Sequence, residues 1–144
     1  MSPTVIRFPY EVRASALFGT IHRPVAQVQV YSTAFQQWLA YMMVVDTGAD
    51  YSVLPASVAF DLGVPLKMCE PHAAAGVGGP QRIFLYRTLR VRLGTWEGLV
   101  PVGFVEREDL PPLLGRYRCL DAFDLGLCNY VTTFSTRVRS TPQK

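Results

Sequence analysis

The sequence predicts a mostly β domain, closed into a barrel of short strands with one or two short helices. The first sign is alternation, because Leu89, Val91 and Leu93 are interleaved with Arg90 and Arg92, the period of two that half-buried strands show. The second sign is that several such segments are separated by short turns containing glycine or proline. Many short strands with turns between them are typical of barrels.

The overall composition fits one globular domain. A length of 144 residues lies in the usual range for a single domain, and 49% hydrophobic against 17% charged residues is enough to build a core. The net charge of +3 is mild and the arginines are scattered, so no nucleic-acid partner is expected. Cys69, Cys119 and Cys128 are odd in number with no close pair, which favours free thiols in a reducing compartment over a disulfide framework.

The pattern of the chain contains no targeting or membrane segment. Residues 1–10 lack an apolar stretch followed by a small-residue cleavage site. The longest apolar run, residues 38–45, is far shorter than the roughly 20 residues that span a bilayer. We therefore expect a cytoplasmic protein without a membrane span.

The chain divides by pattern into three parts. Residues 1–24 have no clear period and contain three prolines, so we interpret them as an N-terminal arm with one short strand around residues 12–18. Residues 25–134 form the domain itself. Residues 135–144 are polar and without an apolar period, which is typical of a flexible C-terminal tail.

Within the domain, most segments are predicted to be strands. They cover residues 25–31, 38–45, 52–55, 64–69, 82–93 and 99–105, with a final strand within residues 125–134. The best helix candidate is residues 56–62, where Gly63 follows as a stop signal. Residues 118–123 are compatible with a helical turn, and residues 94–98 with a five-residue hairpin loop.

One loop carries the residues with the most distinctive chemistry. The apolar strand 38–45 ends there, and the next residues are Asp46, Thr47, Gly48, Ala49 and Asp50. Gly48 has no Cβ, so the backbone can turn tightly and a substrate can approach the Asp46 carboxylate closely. The Thr47 hydroxyl both donates and accepts hydrogen bonds, which suits it to lock two such loops together.

This loop, with Val53-Leu54 after it, resembles the active-site loop of the retropepsins, the retroviral-type aspartic proteases. Three further segments resemble the family's flap tip, its hydrophobic-hydrophobic-Gly-Arg motif and the end of its N-terminal arm. They are Gly76-Val77-Gly78-Gly79, Leu113-Leu114-Gly115-Arg116 and His22-Arg23-Pro24-Val25. The order and spacing of all four agree, which carries more weight than any single match. The resemblance covers residues 22–134 and implies a closed acid-protease barrel with one lobe per chain.

The resemblance implies a role for each matching residue. Asp46 would be catalytic, and Thr47 and Gly48 would support it. Arg116 would form a structural ion pair with Asp50. Substrate backbone would contact the loop at Gly48, Ala49 and Asp50, and the flap at Gly76, Val77, Gly78 and Gly79.

The chemistry of the family needs two such aspartates, and this chain has one Asp-Thr-Gly. Two adjacent carboxylates share a proton, so one acts as a base toward water and the other as an acid toward the peptide carbonyl. We therefore expect an aspartic endopeptidase that acts on peptide or protein substrates as a homodimer, with one Asp46 from each subunit and no cofactor. Arg23 would reach Asp50 of the partner subunit.

The chain departs from the family pattern in two places. Tyr117 stands where the family usually has Asp or Asn after Gly-Arg, beside the expected ion pair. The C-terminal strands of the family usually form the dimer sheet, and residues 128–134 would take that part here. The residues beyond them would then splay outward.

Other functions fit the sequence less well. The main alternative is a catalytically silent retropepsin-like module that binds peptides or dimerises, and the intact Asp46-Thr47-Gly48 triplet favours the enzyme. A nucleic-acid-binding barrel would need an aromatic and basic stripe, which the sequence lacks. No metal site is predicted, because Cys69 and His72 have no second ligand pair and the Asp46 loop lacks the later ligands of a calcium loop.

Overall fold

The structure, a computed structural model, describes residues 4–76 and 79–137. Twelve strands account for most of them: β1 (Val5–Pro9), β2 (Glu11–Ser15), β3 (Gly19–Arg23), β4 (Val25–Ser32), β5 (Gln37–Val45), β6 (Ser52–Pro55), β7 (Glu70–Gly76), β8 (Gly79–Leu93), β9 (Trp96–Val105), β10 (Leu113–Leu114), β11 (Phe123–Cys128) and β12 (Val131–Thr136). One α-helix, α1 (Ala56–Leu62), and two 3-10 turns, Leu66–Met68 and Leu120–Ala122, complete the elements. The prediction of a mostly β fold with one or two short helices is confirmed.

Seven strands form the main sheet, in the order β4-β5-β10-β6-β9-β8-β7. Strand β4 also pairs with β8, with Val30 opposite Val91. Hydrogen bonding therefore runs around a closed ring of six strands, and β7 extends from it as a hairpin with β8. Across the described residues, no helix has the length and apolar character that a bilayer span requires.

Side chains from alternate strand positions fill the inside of the ring. Val28 and Val30 of β4 are almost fully buried, as are Val91 of β8 and Val100 of β9. Phe104 of β9 has no exposed surface at all. Burying one such side chain stabilises a fold by about 1.5–3 kcal/mol, so the alternation seen in the sequence supplies the main driving force for closing the ring.

Helix α1 lies at the outside of this ring and covers the residues predicted to be helical. It starts directly after Pro55 and ends at Gly63, whose φ of 75° is in the left-handed region that glycine adopts without strain. Ala59 and Leu62 face the core, whereas Phe60 is exposed. The predicted helix over residues 56–62 is confirmed.

The short strand β10 joins two parts of the ring that the chain order separates. It runs parallel to β5, with Leu114 opposite Val45, and antiparallel to β6, with Leu113 opposite Val53. Gly115 follows at once, and its backbone packs against Tyr51 so closely that a Cβ would lie 2.3 Å from the Tyr51 carbonyl. No side chain other than hydrogen fits at this position without movement of the backbone.

The N-terminal residues contain more structure than the sequence indicated. One strand was expected around residues 12–18, and the structure has three. Strand β1 pairs with β12, so that Val5 lies opposite Ser135, and β11 pairs with the other side of β12. Strands β2 and β3 form a separate two-stranded hairpin around a turn that includes Gly19, whose φ is 78°.

Four other predictions of secondary structure differ from the structure. The strand expected at residues 64–69 is a 3-10 turn, because Pro65 precedes it and the Met68 and Cys69 amides bond back to Pro65 and Leu66. The loop at residues 94–98 is tighter than expected, since Leu93 already pairs with Trp96.

The final segment forms two strands rather than one, with Asn129 and Tyr130 at positive φ in the turn between them. Ser135 and Thr136, which the sequence pattern assigns to the tail, continue β12 instead. Residues 138–144 of that tail lie outside the described residues. The helical turn expected within residues 118–123 is present as the 3-10 turn at Leu120–Ala122.

Replacing Gly115 with alanine should destabilise the fold, because the added Cβ would collide with the Tyr51 backbone. We expect Gly115→Ala to lower the free energy of unfolding by about 2 kcal/mol, measured by urea denaturation. Gly126→Ala is the matched control, since a Cβ there would meet Thr133 at an ordinary 3.6 Å. Equal losses in the two variants would contradict the close Gly115–Tyr51 contact.

Candidate active site

Asp46 sits at the point where β5 leaves the ring. Its amide donates to the carbonyl oxygen of Leu114 at 3.0 Å, and the amide of Val45 donates to Pro24 at 2.9 Å. Both neighbouring segments therefore hold the backbone directly before the loop. The position of Asp46 is set by the ring and not by the loop alone.

The Asp46 side chain is oriented by its own loop. The amide of Gly48 donates to Asp46 Oδ1 at 2.9 Å, and the amide of Ala49 donates to the Asp46 carbonyl at 3.2 Å. A Cβ at Gly48 would lie 3.3 Å from that same carboxylate oxygen, which is tighter than an ordinary contact. The half-buried carboxylate is thus fixed through one oxygen and keeps the other available.

Asp50, at the end of the loop, is bound by Arg116. Arg116 Nη2 lies 2.5 Å from Asp50 Oδ1, and Arg116 Nε lies 3.4 Å from the carbonyl oxygen of Ala49. The backbone adds two bonds, from the Arg116 amide to Ala49 and from the Tyr117 amide to Asp50. Exposed ion pairs contribute little to stability, so the effect of this contact is to fix the shape of the loop.

A buried serine links the same two segments through a hydrogen bond. The Ser52 hydroxyl accepts a hydrogen bond from the Gly115 amide at 3.0 Å, and it also contacts the Cys119 thiol. Burial raises the pKa of Cys119 to about 12, with the Ser52 contact opposing that shift, so the thiol stays neutral. Sequence reasoning missed Ser52 because its partner lies 63 residues away, and nothing local marks it.

A cleft of about 380 Å³ opens beside the loop. Its walls are formed by Asp50, Tyr51, Leu85, Arg87, Pro101, Arg116, Tyr117 and Asp121. Burial raises the pKa of Tyr51, and the charge of Asp50 raises it further, so this phenol remains protonated. The cleft therefore combines an apolar wall with several charged groups at the Asp50 end of the loop.

Tyr117, the departure noted in the sequence, lies exposed at the rim of this cleft. Its hydroxyl accepts a hydrogen bond from Arg118 Nε at 3.3 Å. That bond, with a smaller effect of Arg87, lowers the pKa of Tyr117. The Asp50–Arg116 contact is present even though Tyr117 differs from the family's usual residue, because Tyr117 contacts Asp50 through its backbone.

The remaining predicted residues are placed as follows. Gly76 and Gly79 are opposite each other at the end of the β7–β8 hairpin, whereas Val77 and Gly78 of the predicted flap tip lie outside the described residues. Thr47 is exposed. Within residues 4–76 and 79–137, neither Thr47 nor Arg23 has a side-chain hydrogen bond or ion pair.

The described part of the chain brings together no cluster of three or more residues that could hold a metal ion. The Cys69 thiol instead contacts the Pro65 carbonyl oxygen at 3.6 Å, and His72 lies 3.5 Å from Glu70. The site around Asp46 consists of carboxylates, backbone amides and an arginine. That set of groups is suited to acid–base chemistry on a polar bond.

Comparison with known proteins relates this arrangement to one family. The family model described as aspartyl protease matches residues 32–117. A solved structure, a retropepsin-like aspartic protease from Rickettsia conorii, is similar with a TM-score of 0.65 and 16% sequence identity. The match covers 91% of this chain and 98% of that one. No curated protein sequence matches the chain significantly.

The family match includes the Asp46 loop, the β7–β8 hairpin and the Gly115-Arg116 motif, and it spans more than half of the chain. The structural likeness shows that the fold is retropepsin-like. The chain therefore belongs to the aspartyl protease family, and its activity class is that of an aspartic endopeptidase.

Proposed function

We propose that the chain cleaves peptide bonds as a homodimer in which Asp46 of each subunit supplies one of two catalytic carboxylates. The observation that carries the proposal is the state of the two acids in the loop. Asp46 is fixed by the Gly48 amide with one oxygen left available, whereas Asp50 is bound by Arg116. Asp50 is thus not free to act as the second acid, and a second copy of the chain is the simplest source of one.

The mechanism follows from bringing two carboxylates close together. Two adjacent negative charges repel, so the pair holds one proton, which is the known behaviour of the aspartic protease class. The charged carboxylate takes a proton from water as the water attacks the peptide carbonyl carbon. The protonated carboxylate donates to the carbonyl oxygen, which gives a tetrahedral diol. The carboxyl that took the proton from water then passes it to the nitrogen, the carbon–nitrogen bond breaks to release the amine, and the other carboxylate takes back a hydroxyl proton to leave the new acid.

Two side chains that form no hydrogen bond or ion pair within residues 4–76 and 79–137 support a second copy. The exposed Thr47 hydroxyl is suited to bond the facing loop, where it would lock the two Asp46 residues side by side. Arg23 is half-buried and forms no hydrogen bond or ion pair among the described residues, and it would reach Asp50 of the partner subunit. A half-buried guanidinium without a partner is costly, so the dimer would relieve that cost.

The substrate we propose is an extended peptide lying between the loop and the β7–β8 hairpin. The loop at Gly48, Ala49 and Asp50 would contact the peptide backbone, and the end of the β7–β8 hairpin would cover it. Alternate side chains of an extended peptide point in opposite directions, so they would enter separate pockets. The cleft beside Tyr51 is the candidate for one of these pockets.

Replacing Asp46 with asparagine should abolish cleavage, because the amide neither takes the proton from water nor holds the shared one. We expect Asp46→Asn to lower kcat/KM on a peptide library by about 1,000-fold or more. Asp61→Asn on the exposed face of α1 is the control and should cleave normally. Cleavage that survives Asp46→Asn and resists a pepstatin-like inhibitor would contradict the proposal and favour a silent binding module with a contaminating activity.

Mixing the two forms tests whether each active site contains two chains. With wild-type chain held constant and an equal amount of Asp46→Asn added and equilibrated, activity should fall to about half, since random pairing leaves half of the wild-type chains in intact dimers. A larger excess of the variant should lower activity further in proportion to the wild-type fraction. Activity that is independent of added variant would place the whole site within one chain.

The contact between Arg116 and Asp50 should matter for activity more than for stability. We expect Arg116→Ala to lower kcat/KM by about 10-fold or more while changing the free energy of unfolding by about 1 kcal/mol or less. Arg137→Ala is the matched control, because Arg137 forms a similarly exposed pair with Asp124 at 3.1 Å on another part of the surface. Equal activity in the two variants would show that the loop keeps its shape without Arg116.

A further inference from the structure

The β2–β3 hairpin presents apolar side chains that nothing in the described chain covers. Val12 is 63% exposed, and Leu17 and Phe18 at the tip are 85% and 78% exposed. The two strands pair with each other and with no other described strand. An isolated two-stranded hairpin is marginally stable at best in water, so a surface of this kind normally packs against something.

The base of the hairpin is nevertheless held firmly against the body of the protein. The ring of His22, on β3, stacks on Tyr130 with 4.0 Å between ring centroids and an angle of 21°. Tyr10, just before β2, meets the same Tyr130 ring edge-on, and its amide donates to the Tyr130 carbonyl at 2.9 Å. Both ends of the hairpin are thus fixed on the turn between β11 and β12, so its base has a defined position on the protein.

The strand that follows the hairpin shows from which end of the sheet the hairpin leaves. Strand β4 is antiparallel to β5, with Val25 opposite Val44, so the chain before Val25 leaves the sheet at the end where Asp46 emerges. The carbonyl oxygen of Pro24 accepts the hydrogen bond from Val45, the residue next to Asp46. The hairpin therefore departs from the same end of the molecule as the catalytic loop, and from directly beside it.

We propose that the β2–β3 hairpin is an arm that packs on the second copy of the chain and buries Val12, Leu17 and Phe18 there. This inference rests on the proposed homodimer. Two Asp46 carboxylates that share a proton place the two-fold axis within a few ångströms of each of them. Five residues per strand give the hairpin a length of about 15 Å, which is enough to reach from Pro24 across that axis.

A second copy fits this surface better than other partners do. It is the one partner that the catalytic mechanism requires at this end of the molecule. The tip, Ala14 to Gly19, carries no charged side chain, so its burial against a protein surface costs no desolvation of charge. A tip that binds lipid would gain from free cations directly beside it, whereas Arg13, which adjoins the tip, lies 3.6 Å from Glu11.

The test is the dimer dissociation constant, measured by sedimentation over a concentration series. Leu17→Glu/Phe18→Glu should raise the constant by about 10-fold or more, because two charges would be forced into the interface. Val12→Glu, on the strand rather than the tip, should act in the same direction. The control is Phe60→Glu on α1, a residue that is 83% exposed and lies outside the hairpin, and it should leave the constant within about twofold of wild type.

The possible results separate this proposal from the one on which it rests. Far-UV circular dichroism and thermal melting of each variant check that the fold is retained, as expected for changes at exposed positions. A wild-type dimer whose affinity is unchanged in the folded hairpin variants would overturn the arm and leave the homodimer standing. A wild-type chain that stays monomeric throughout would overturn both. Hairpin-dependent binding to vesicles of anionic and neutral phospholipids, with dimer affinity unchanged, would assign the tip to membranes and overturn the arm.

Discussion

The contact on which the site depends is the insertion of β10 between β5 and β6. It brings the Leu114 carbonyl to the Asp46 amide and the Gly115 amide to the buried Ser52 hydroxyl. It also places Arg116 where its side chain reaches Asp50. Gly115 lies against the Tyr51 backbone with no room for a Cβ, so these bonds depend on the close approach of the two backbones. The loop is therefore shaped by a segment that lies about sixty residues further along the chain.

The two acids of the loop have different partners in this arrangement. Among the described residues, Asp50 is paired with the Arg116 guanidinium, whereas the Asp46 carboxylate accepts one hydrogen bond, from a backbone amide. A lone carboxylate is a weak catalyst for peptide hydrolysis, and pairing it with a second supplies both the base and the acid. In the proposed homodimer, activity would depend on the association of two chains, so protein concentration would control catalysis.

Local patterns in the sequence predicted the parts of the structure that local physics determines. Alternation identified β4, a near-continuous apolar run identified β5, and the Gly63 stop signal gave the end of α1 to the residue. The resemblance to the family predicted the ion pair of Asp50 and Arg116. Ser52 and the pairing of β1 with β12 were missed, because both depend on partners far along the chain, as in the pairing of Val5 with Ser135. Short arm strands also carry too few apolar residues to show a period.

The segments that were hardest to predict share a location. The base of the β2–β3 hairpin packs on the turn between β11 and β12 through His22 and Tyr130, at the end of the molecule from which Asp46 emerges. The ring and its loop are constrained by close packing, where a single Cβ is not tolerated at Gly115. The tip of the hairpin has no such constraint among the described residues, since Leu17 and Phe18 are exposed there, so substitutions at the tip can alter the association of two chains in the proposed homodimer without disturbing the ring. In the proposed homodimer, the ring would hold the two carboxylates in place, and the β2–β3 hairpin would set how strongly the two chains associate.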